Sequence, residues 1–242
     1  MDDLELERFT RQLLLPEWGI EAQQRVRSTR VLLVGCGGLG TWIAQLLARA
    51  GVGHLTLADP DQVDRSNLHR QLFSSAAVGQ PKSQALAQDL ASFTDVRSIS
   101  AAIDQEWLAE QGQAFDLWID ASDRWVTRQQ LGAESRRQGI PWILGSAISL
   151  SGHCAAFDPS QRGTACFDCV FGQQIDPGQT CEASGVLGPV VVTVASTQAQ
   201  WALAHLSGMH RLPTGRLRRW DGALLTPSEF KFAKRPGCAC SL

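Results

Sequence analysis

The sequence carries no marked excess of charge of either sign. Its 242 residues include 22 basic and 24 acidic side chains, so net charge gives no reason to expect binding to nucleic acid or to an anionic membrane. Long apolar runs are also absent, since no uninterrupted stretch approaches the roughly 20 residues needed to cross a bilayer. Residues 1–7 are acidic where a signal peptide would be basic and then apolar. We therefore expect a cytoplasmic protein that binds neither nucleic acid nor membrane.

Internal repeats and low-complexity tracts are absent too, and the length suits one large α/β domain. Short apolar runs alternate with segments of helical periodicity, and strands separated by helices pair in parallel through right-handed crossovers. Strands are predicted at 30–34, 54–58, 96–101, 115–119 and 141–144, and helices at 39–50, 81–90, 106–111 and 124–138.

The pattern changes after residue 149. Strands are predicted at 152–157, 216–220 and 229–232, and a helix at 190–206. We therefore predict a single α/β domain over residues 1–242 with a Rossmann-like, mainly parallel sheet and helices on both faces. It comprises an N-terminal helical segment (1–28), a nucleotide-binding portion (29–148) and a partly antiparallel C-terminal portion (149–242).

A glycine-rich turn joins the first predicted strand to a helix. It contains Gly35, Gly37, Gly38 and Gly40, and Asp59 follows at the end of the next apolar run. Glycines let backbone N–H groups approach phosphate, the helix N-terminus favours the same anion, and an acidic side chain suits a ribose hydroxyl. The pattern predicts a nucleotide site. Taken alone it is the ordinary dinucleotide fingerprint, so a NAD-dependent oxidoreductase with a Rossmann domain stays an alternative.

A polar cluster that hydride transfer does not need follows Asp59. It contains Asn67, Arg70, Gln71 and Lys82. Guanidinium and ammonium groups beside the ribose-binding strand can surround a triphosphate and stabilise charge on a transferring phosphorus centre. Any one of these side chains alone could be an ordinary surface or capping residue. Together they favour adenylyl transfer.

The order of these motifs resembles that of the ThiF/MoeB/HesA adenylyltransferases, the bacterial relatives of ubiquitin-activating enzymes. The likeness covers nearly the whole chain and includes residues 8–12, the glycine turn, residues 59–71, Lys82, Asp120-x-x-Asp123, two cysteine pairs and the terminal Pro236-Gly237-Cys238. Several separated motifs in the same order are more specific than any one of them.

The resemblance implies a role for each matching residue. Gly38 lies against the ATP phosphates, Asp59 holds the ribose, and Asn67, Arg70, Gln71 and Lys82 contact the phosphates. Asp123 positions Mg²⁺, whereas Asp120 ends a strand and is ranked below it as a structural residue. Arg11 reaches the phosphates of the neighbouring subunit, which implies a homodimer with shared active sites. Arg124 departs from the family, which usually has Asn there.

Four of the seven cysteines form two close pairs, Cys166 with Cys169 and Cys238 with Cys240. In a protein without a signal peptide, such pairs favour metal ligands over disulfides. Four thiolates make a closed, tetrahedral structural zinc site that would tie the C-terminal tail to the domain. The second pair has one intervening residue where the family normally has two, so an empty site and a redox pair remain alternatives.

Cys181 lies outside both pairs. The resemblance places it where related enzymes carry a cysteine that attacks an acyl adenylate or joins a sulfur-transfer intermediate. No basic residue lies nearby in its loop to lower its pKa, so an exposed bystander is the alternative. Cys36 and Cys154 are predicted to be buried packing residues.

The predicted activity is ATP-dependent adenylylation of the C-terminal glycine carboxylate of a small ubiquitin-like sulfur-carrier protein ending in Gly-Gly. The resemblance implies later conversion to a thiocarboxylate for thiamin, molybdopterin or a related pathway, with sulfur from a separate donor. Residues 149–242 would supply the carrier-docking surface. Besides the oxidoreductase, a non-catalytic module that docks a ubiquitin-like protein remains an alternative, because of Arg124 and the shortened second cysteine pair.

Overall fold

The computed structural model describes residues 1–172, 185–238 and 240. The helices of this part of the chain are α1 (Asp3–Leu13), α2 (Gly19–Ser28), α3 (Gly38–Ala50), α4 (Lys82–Leu90), α5 (Gln105–Gln111), α6 (Trp125–Gln138), α7 (Phe167–Phe171) and α8 (Gly188–Leu206). Its strands are β1 (Arg30–Val34), β2 (His54–Ala58), β3 (Asp95–Ile99), β4 (Leu117–Asp120), β5 (Trp142–Ile148), β6 (Ser151–Phe157), β7 (Arg216–Asp221) and β8 (Thr226–Lys231).

The strands form one sheet in the order β3-β2-β1-β4-β5-β6-β7-β8. The first five are parallel, and β6, β7 and β8 are added antiparallel at one edge. The predicted Rossmann-like, mainly parallel architecture is confirmed. The chain order reverses between β1 and β4, and ligands of such sheets bind outside the carboxyl ends of the strands at this switch point.

The buried strands place alternate side chains on opposite faces of the sheet. In β1, Val31 and Leu33 join the cluster covered by α3 and α8, whereas Leu32 and Val34 join the cluster covered by α5 and α6. All four side chains are at most 5% exposed. Helices therefore cover both faces, and the carboxyl end of β1 is fixed from two sides before the glycine turn begins.

The N-terminal segment consists of two helices packed outside the sheet. Arg8 of α1 donates hydrogen bonds from Nη2 to the Ala48 carbonyl at 2.7 Å and from Nη1 to the Phe93 carbonyl at 3.0 Å. Gln23 of α2, fully buried, donates to the Ala50 carbonyl at 2.9 Å. These contacts attach the segment to the end of α3.

The last two strands form a hairpin at the edge of the sheet. Every residue of β8 is exposed, so β8 is an edge strand with one unpaired side. It begins three residues before the predicted strand, because the ladder with β7 continues to Thr226 opposite Asp221. The short helix α7 was not predicted from the sequence. No helix in the described ranges is long and apolar enough to span a bilayer.

Candidate active site

The glycine turn leaves β1 at the switch point. Gly35 adopts φ +96°, and its N–H donates to the Ala58 carbonyl at 2.8 Å, which fixes the turn to the end of β2. The helix α3 starts at Gly38, so its unpaired N–H groups face the cleft above the sheet. This is the geometry that favours phosphate.

Two of the glycines are required by close backbone approach. A Cβ on Gly40 would lie 1.9 Å from the Gly35 carbonyl oxygen, and a Cβ on Gly35 would lie 2.7 Å from the Ala121 carbonyl. A Cβ on Gly37, in contrast, would approach only the Gln71 side chain, at 3.7 Å. The turn thus packs tightly at Gly35 and Gly40, whereas Gly37 leaves room beside it.

We expect Gly40→Ala to destabilise the protein and abolish nucleotide binding, because the new methyl group overlaps the Gly35 carbonyl. Gly37→Ala is the matched control within the same turn, and it should fold with a melting temperature close to that of the wild type. Circular dichroism melting curves and ATP-binding titrations test this difference. Equal melting temperatures for Gly40→Ala and the wild type would contradict it.

Asp59 lies at the end of β2 and is 5% exposed. Its Oδ2 accepts the Cys36 N–H at 2.6 Å, and its Oδ1 accepts the Asp61 N–H at 2.8 Å. Burial raises the pKa of this carboxyl, while these two N–H groups favour its charged form. The side chain therefore braces the glycine turn from within the cleft that it lines.

The predicted phosphate-contacting side chains line one wall of the cleft: Asn67, Arg70, Gln71 and Lys82. The buried Lys82 donates from Nζ to Asp61 Oδ2 at 2.9 Å. Gln71 is buried as well, and its Oε1 has no hydrogen-bond partner among the described residues. A buried acceptor without a partner is costly, and the residue that carries this one is among those that line the cleft.

Asp123 and Arg124 also line the cleft, immediately before α6, and both side chains are exposed. Asp120, at the end of β4, is completely buried and forms an ion pair with Arg128 of α6, whose Nε lies 3.1 Å from its Oδ2. Burial raises the pKa of Asp120, and Arg128 opposes this effect. Asp120 is thus enclosed by the elements around it, whereas Asp123 is open to the cleft.

Sequence reasoning missed Arg128 and Gln198. Arg128 also donates from Nη2 to the carbonyls of Ser122 at 2.8 Å and Gly145 at 3.2 Å. Gln198 of α8 donates to the Asp120 carbonyl at 2.8 Å. Arg128 follows Asp120 by eight residues, a spacing that could have suggested a strand-end to helix pair, but no local signal points to Gln198.

The four paired cysteines converge beside α7. The Sγ–Sγ distances are 3.8 Å for Cys166 with Cys169, 3.6 Å for Cys166 with Cys238, and 3.5 Å for Cys169 with Cys240. Four sulfurs at about 2.3 Å from one zinc ion are separated by about 3.8 Å in a tetrahedron. The donor set and its spacing therefore fit a structural zinc ion.

One guanidinium and one backbone N–H donate hydrogen bonds to this cluster. Arg136 of α6 donates from Nη1 to Cys166 Sγ at 3.5 Å and forms an ion pair with Asp168. The Arg235 N–H donates to Cys169 Sγ at 3.3 Å. Hydrogen bonds of this kind stabilise the negative charge of thiolate ligands.

The remaining predicted site residues lie elsewhere. Arg11 is exposed on α1 and does not line the cleft of its own chain. Cys181 lies outside the described residues. Cys36 and Cys154 are buried, as predicted, and burial raises the pKa of both thiols, that of Cys154 to about 12.

Several known proteins are similar in sequence to nearly the whole of this chain. The model of the ThiF family matches residues 9–241. The molybdopterin-synthase adenylyltransferase of Escherichia coli K12 is 34% identical over 242 residues, covering 98% of this chain and 97% of that protein. The sulfur carrier protein ThiS adenylyltransferase of the same organism is also 34% identical, covering 98% and 96%. The SAMP-activating enzyme E1 of Haloferax volcanii is 34% identical, covering 98% and 89%.

Solved structures show the same fold at lower identity. Escherichia coli MccB crystallised with AMPCPP and MccA superposes with a TM-score of 0.84 at 20% identity, covering 96% of this chain and 74% of that one. MccB with ATP superposes with a TM-score of 0.82 over the same shares. At this identity the likeness concerns the fold alone.

Proposed function

The chain belongs to the ThiF family, and from that premise we propose that it is an adenylyltransferase that activates the C-terminal glycine carboxylate of a small ubiquitin-like sulfur-carrier protein. The observation that carries this proposal is the cleft at the switch point. The glycine turn with the α3 N-terminus, the acid at the end of β2, four basic side chains and an exposed aspartate all line this cleft. Together these groups match a nucleoside triphosphate.

The reaction makes an unreactive carboxylate susceptible to nucleophiles. One carboxylate oxygen forms a bond to the α-phosphorus of ATP, the bond from that phosphorus to the bridging β-phosphate oxygen breaks, and pyrophosphate leaves with the electron pair. The product is an acyl adenylate, whose leaving group is AMP. The enzyme contributes mainly positioning and neutralisation of charge.

Each wall of the cleft would serve one part of ATP. We propose that Asp59 accepts from the ribose hydroxyls, that the glycine turn with Gly38 cradles the phosphates, and that Asn67, Arg70 and Gln71 contact them. Lys82, now paired with Asp61, supplies the cation nearest the ribose side. Negative charge developing on the phosphates is thus met by donors that the fold already holds in place.

Asp123 would hold Mg²⁺. A carboxylate oxygen is a ligand that Mg²⁺ prefers, and this one is exposed and lines the cleft. When bound, the ion neutralises charge on the triphosphate and on the departing pyrophosphate.

Carrier-dependent ATP–pyrophosphate exchange tests the proposal. Purified protein is incubated with ATP, Mg²⁺ and labelled pyrophosphate, together with each of a panel of small ubiquitin-like proteins ending in Gly-Gly, ThiS among them. We expect label in ATP with at least one carrier and none when its last glycine is removed. NAD binding without ATP binding would instead support an oxidoreductase, and carrier binding without exchange would support a docking module.

We also propose a homodimer in which Arg11 completes the partner's site, because this cation is exposed and lies away from its own cleft. Residues 149–242 would dock the carrier, since Val186 and Val191 of this portion line the cleft. Later conversion of the adenylate to a thiocarboxylate, for thiamin, molybdopterin or a related cofactor, would use a separate sulfur donor.

We further propose that the protein acts in the cytoplasm.

Cys181→Ala should leave ATP–pyrophosphate exchange within about twofold of the wild type, because the adenylylation step needs no thiol. Any effect should fall on the later transfer of sulfur to the carrier, measured as thiocarboxylate by mass spectrometry. Loss of exchange in this variant would refute the division between the two steps.

A further inference from the structure

The cleft contains a second cationic wall that the phosphate contacts do not use. Arg128 of α6 lines the cleft together with Ser146 of β5. Its side chain is only 12% exposed, so the protein holds a largely desolvated guanidinium next to the reaction space. Its ion pair with Asp120 offsets the cost of burying it, and what it can offer a ligand is the set of N–H donors that remain.

Three hydrogen bonds hold this guanidinium in a single orientation. Nε donates to Asp120, and Nη2 donates to the carbonyls of Ser122 and Gly145. The structure records no partner for Nη1 within the described part of the chain. The guanidinium is therefore anchored along one edge and retains donors for a ligand in the cleft.

Ser146 lies beside these donors. It follows Gly145, whose carbonyl Arg128 contacts, and it lines the cleft with Arg128. Its hydroxyl makes no recorded hydrogen bond with another described residue. A guanidinium with free N–H groups and a neighbouring hydroxyl form a donor set that matches a carboxylate.

The geometry of the reaction indicates which reactant lies beside Arg128. In phosphoryl and nucleotidyl transfer the attacking and leaving oxygens lie roughly in line on opposite sides of the phosphorus. If Arg70 and Lys82 face the phosphates that leave, the attacking carboxylate must approach from another side. A second cation there offsets the repulsion between the carboxylate and the triphosphate.

We propose that Arg128 and Ser146 form the subsite that binds the terminal carboxylate of the substrate protein. This subsite rests on the proposed function and adds to it the residues that hold the attacking carboxylate. Asp120, Ser122 and Gly145 orient Arg128, and Arg128 in turn presents its remaining donors to the carboxylate. The subsite selects a free C-terminal acid over a neutral end of the same shape.

The test compares two forms of the panel carrier that supports exchange: one with its natural C-terminal carboxylate and one with a C-terminal carboxamide. Binding to the full-length protein is measured by calorimetry in the presence of a non-hydrolysable ATP analogue. The wild type should bind the acid at least about tenfold more tightly than the amide, as expected for one charge-assisted contact. Arg128→Gln should reduce this preference to about twofold or less.

Arg128→Gln leaves the buried Asp120 without its ion-pair partner. A second variant therefore combines Arg128→Gln with Asp120→Asn, which removes both charges of the pair. Binding of the ATP analogue shows that the variants are folded.

Arg97→Gln is the charge-matched control, because Arg97 occupies an exposed position of β3, and it should keep the full preference. In exchange assays, the Arg128 variants should raise the KM for the carrier and leave the KM for ATP nearly unchanged, which a general loss of structure would not do.

Persistence of the acid preference in the double variant would overturn the subsite. Equal binding of acid and amide by the wild type would also overturn it, while leaving carrier activation intact. Absence of exchange with every carrier would instead refute the proposed function from which the inference starts.

Discussion

Asp123→Ala should abolish carrier-dependent ATP–pyrophosphate exchange while leaving the fold intact. The side chain is exposed at the start of α6, so its removal creates no cavity and leaves no buried partner unpaired. If it holds Mg²⁺, its loss removes charge stabilisation that is needed when pyrophosphate departs. Losing a single donor that stabilises transition-state charge typically costs about 10²–10³ in rate, and loss of a metal ligand should cost at least as much.

Asp89→Ala is the matched control, because Asp89 is an exposed aspartate on α4 that does not line the cleft. It should retain full exchange, and both variants should melt at the wild-type temperature. Full activity of Asp123→Ala would overturn the assignment of Asp123. Asp123→Asn, which keeps the shape but not the charge, should fall close to the alanine variant.

The same variant also tests the shared active site. Arg11→Ala should be inactive alone if Arg11 acts across a dimer interface. Mixing subunits of Arg11→Ala and Asp123→Ala should then restore exchange, because a mixed dimer contains one cleft with both residues. No recovery after verified subunit exchange would contradict a contribution from the partner.

Cys169→Ser should remove bound zinc and lower the melting temperature. The four sulfurs lie at separations of 3.5–3.8 Å where measured, and they join α7 to residues 238 and 240 across some 70 positions of chain. Structural zinc contributes about 10–16 kcal/mol to isolated zinc-finger peptides. Even a loss of about 3 kcal/mol would lower the melting temperature of a chain this long by roughly 6–12 °C.

Zinc content by elemental mass spectrometry and thermal melting measure this effect together. Cys181→Ser is the control, because it removes one thiol outside the cluster, and it should keep one zinc ion per chain. Unchanged zinc content and melting temperature in Cys169→Ser would remove the structural zinc site. Treatment of the wild type with a strong chelator should reproduce the lowered melting temperature.

The sequence predicted the parallel sheet correctly because the signals are local. Strands such as β1 and β2 are uninterrupted apolar runs, and α3 follows a glycine turn whose spacing permits close backbone approach. The edge strands were placed less exactly. Every residue of β8 is exposed, so it has no alternation of apolar and polar residues to mark its ends.

The candidate site, like the fold, was predictable only in part. The residues predicted to contact phosphate follow one another within residues 35–82 and line one cleft, so their order alone was informative. That Lys82 is paired with Asp61, and that Asp59 braces the glycine turn, could not be predicted, because each depends on where a loop turns in space.

Periodicity and the spacing of neighbouring residues were enough to predict the fold class and the family resemblance, and they supplied candidate residues for a nucleotide cleft. Contacts between distant parts of the chain became visible only in three dimensions: Asp120 pairs with Arg128 and accepts from Gln198, and four cysteine sulfurs meet. Distance explains the difference. A hydrogen bond or a metal ligand requires atoms within a few ångströms, and for residues dozens of positions apart only the packing of the sheet and its helices sets that distance.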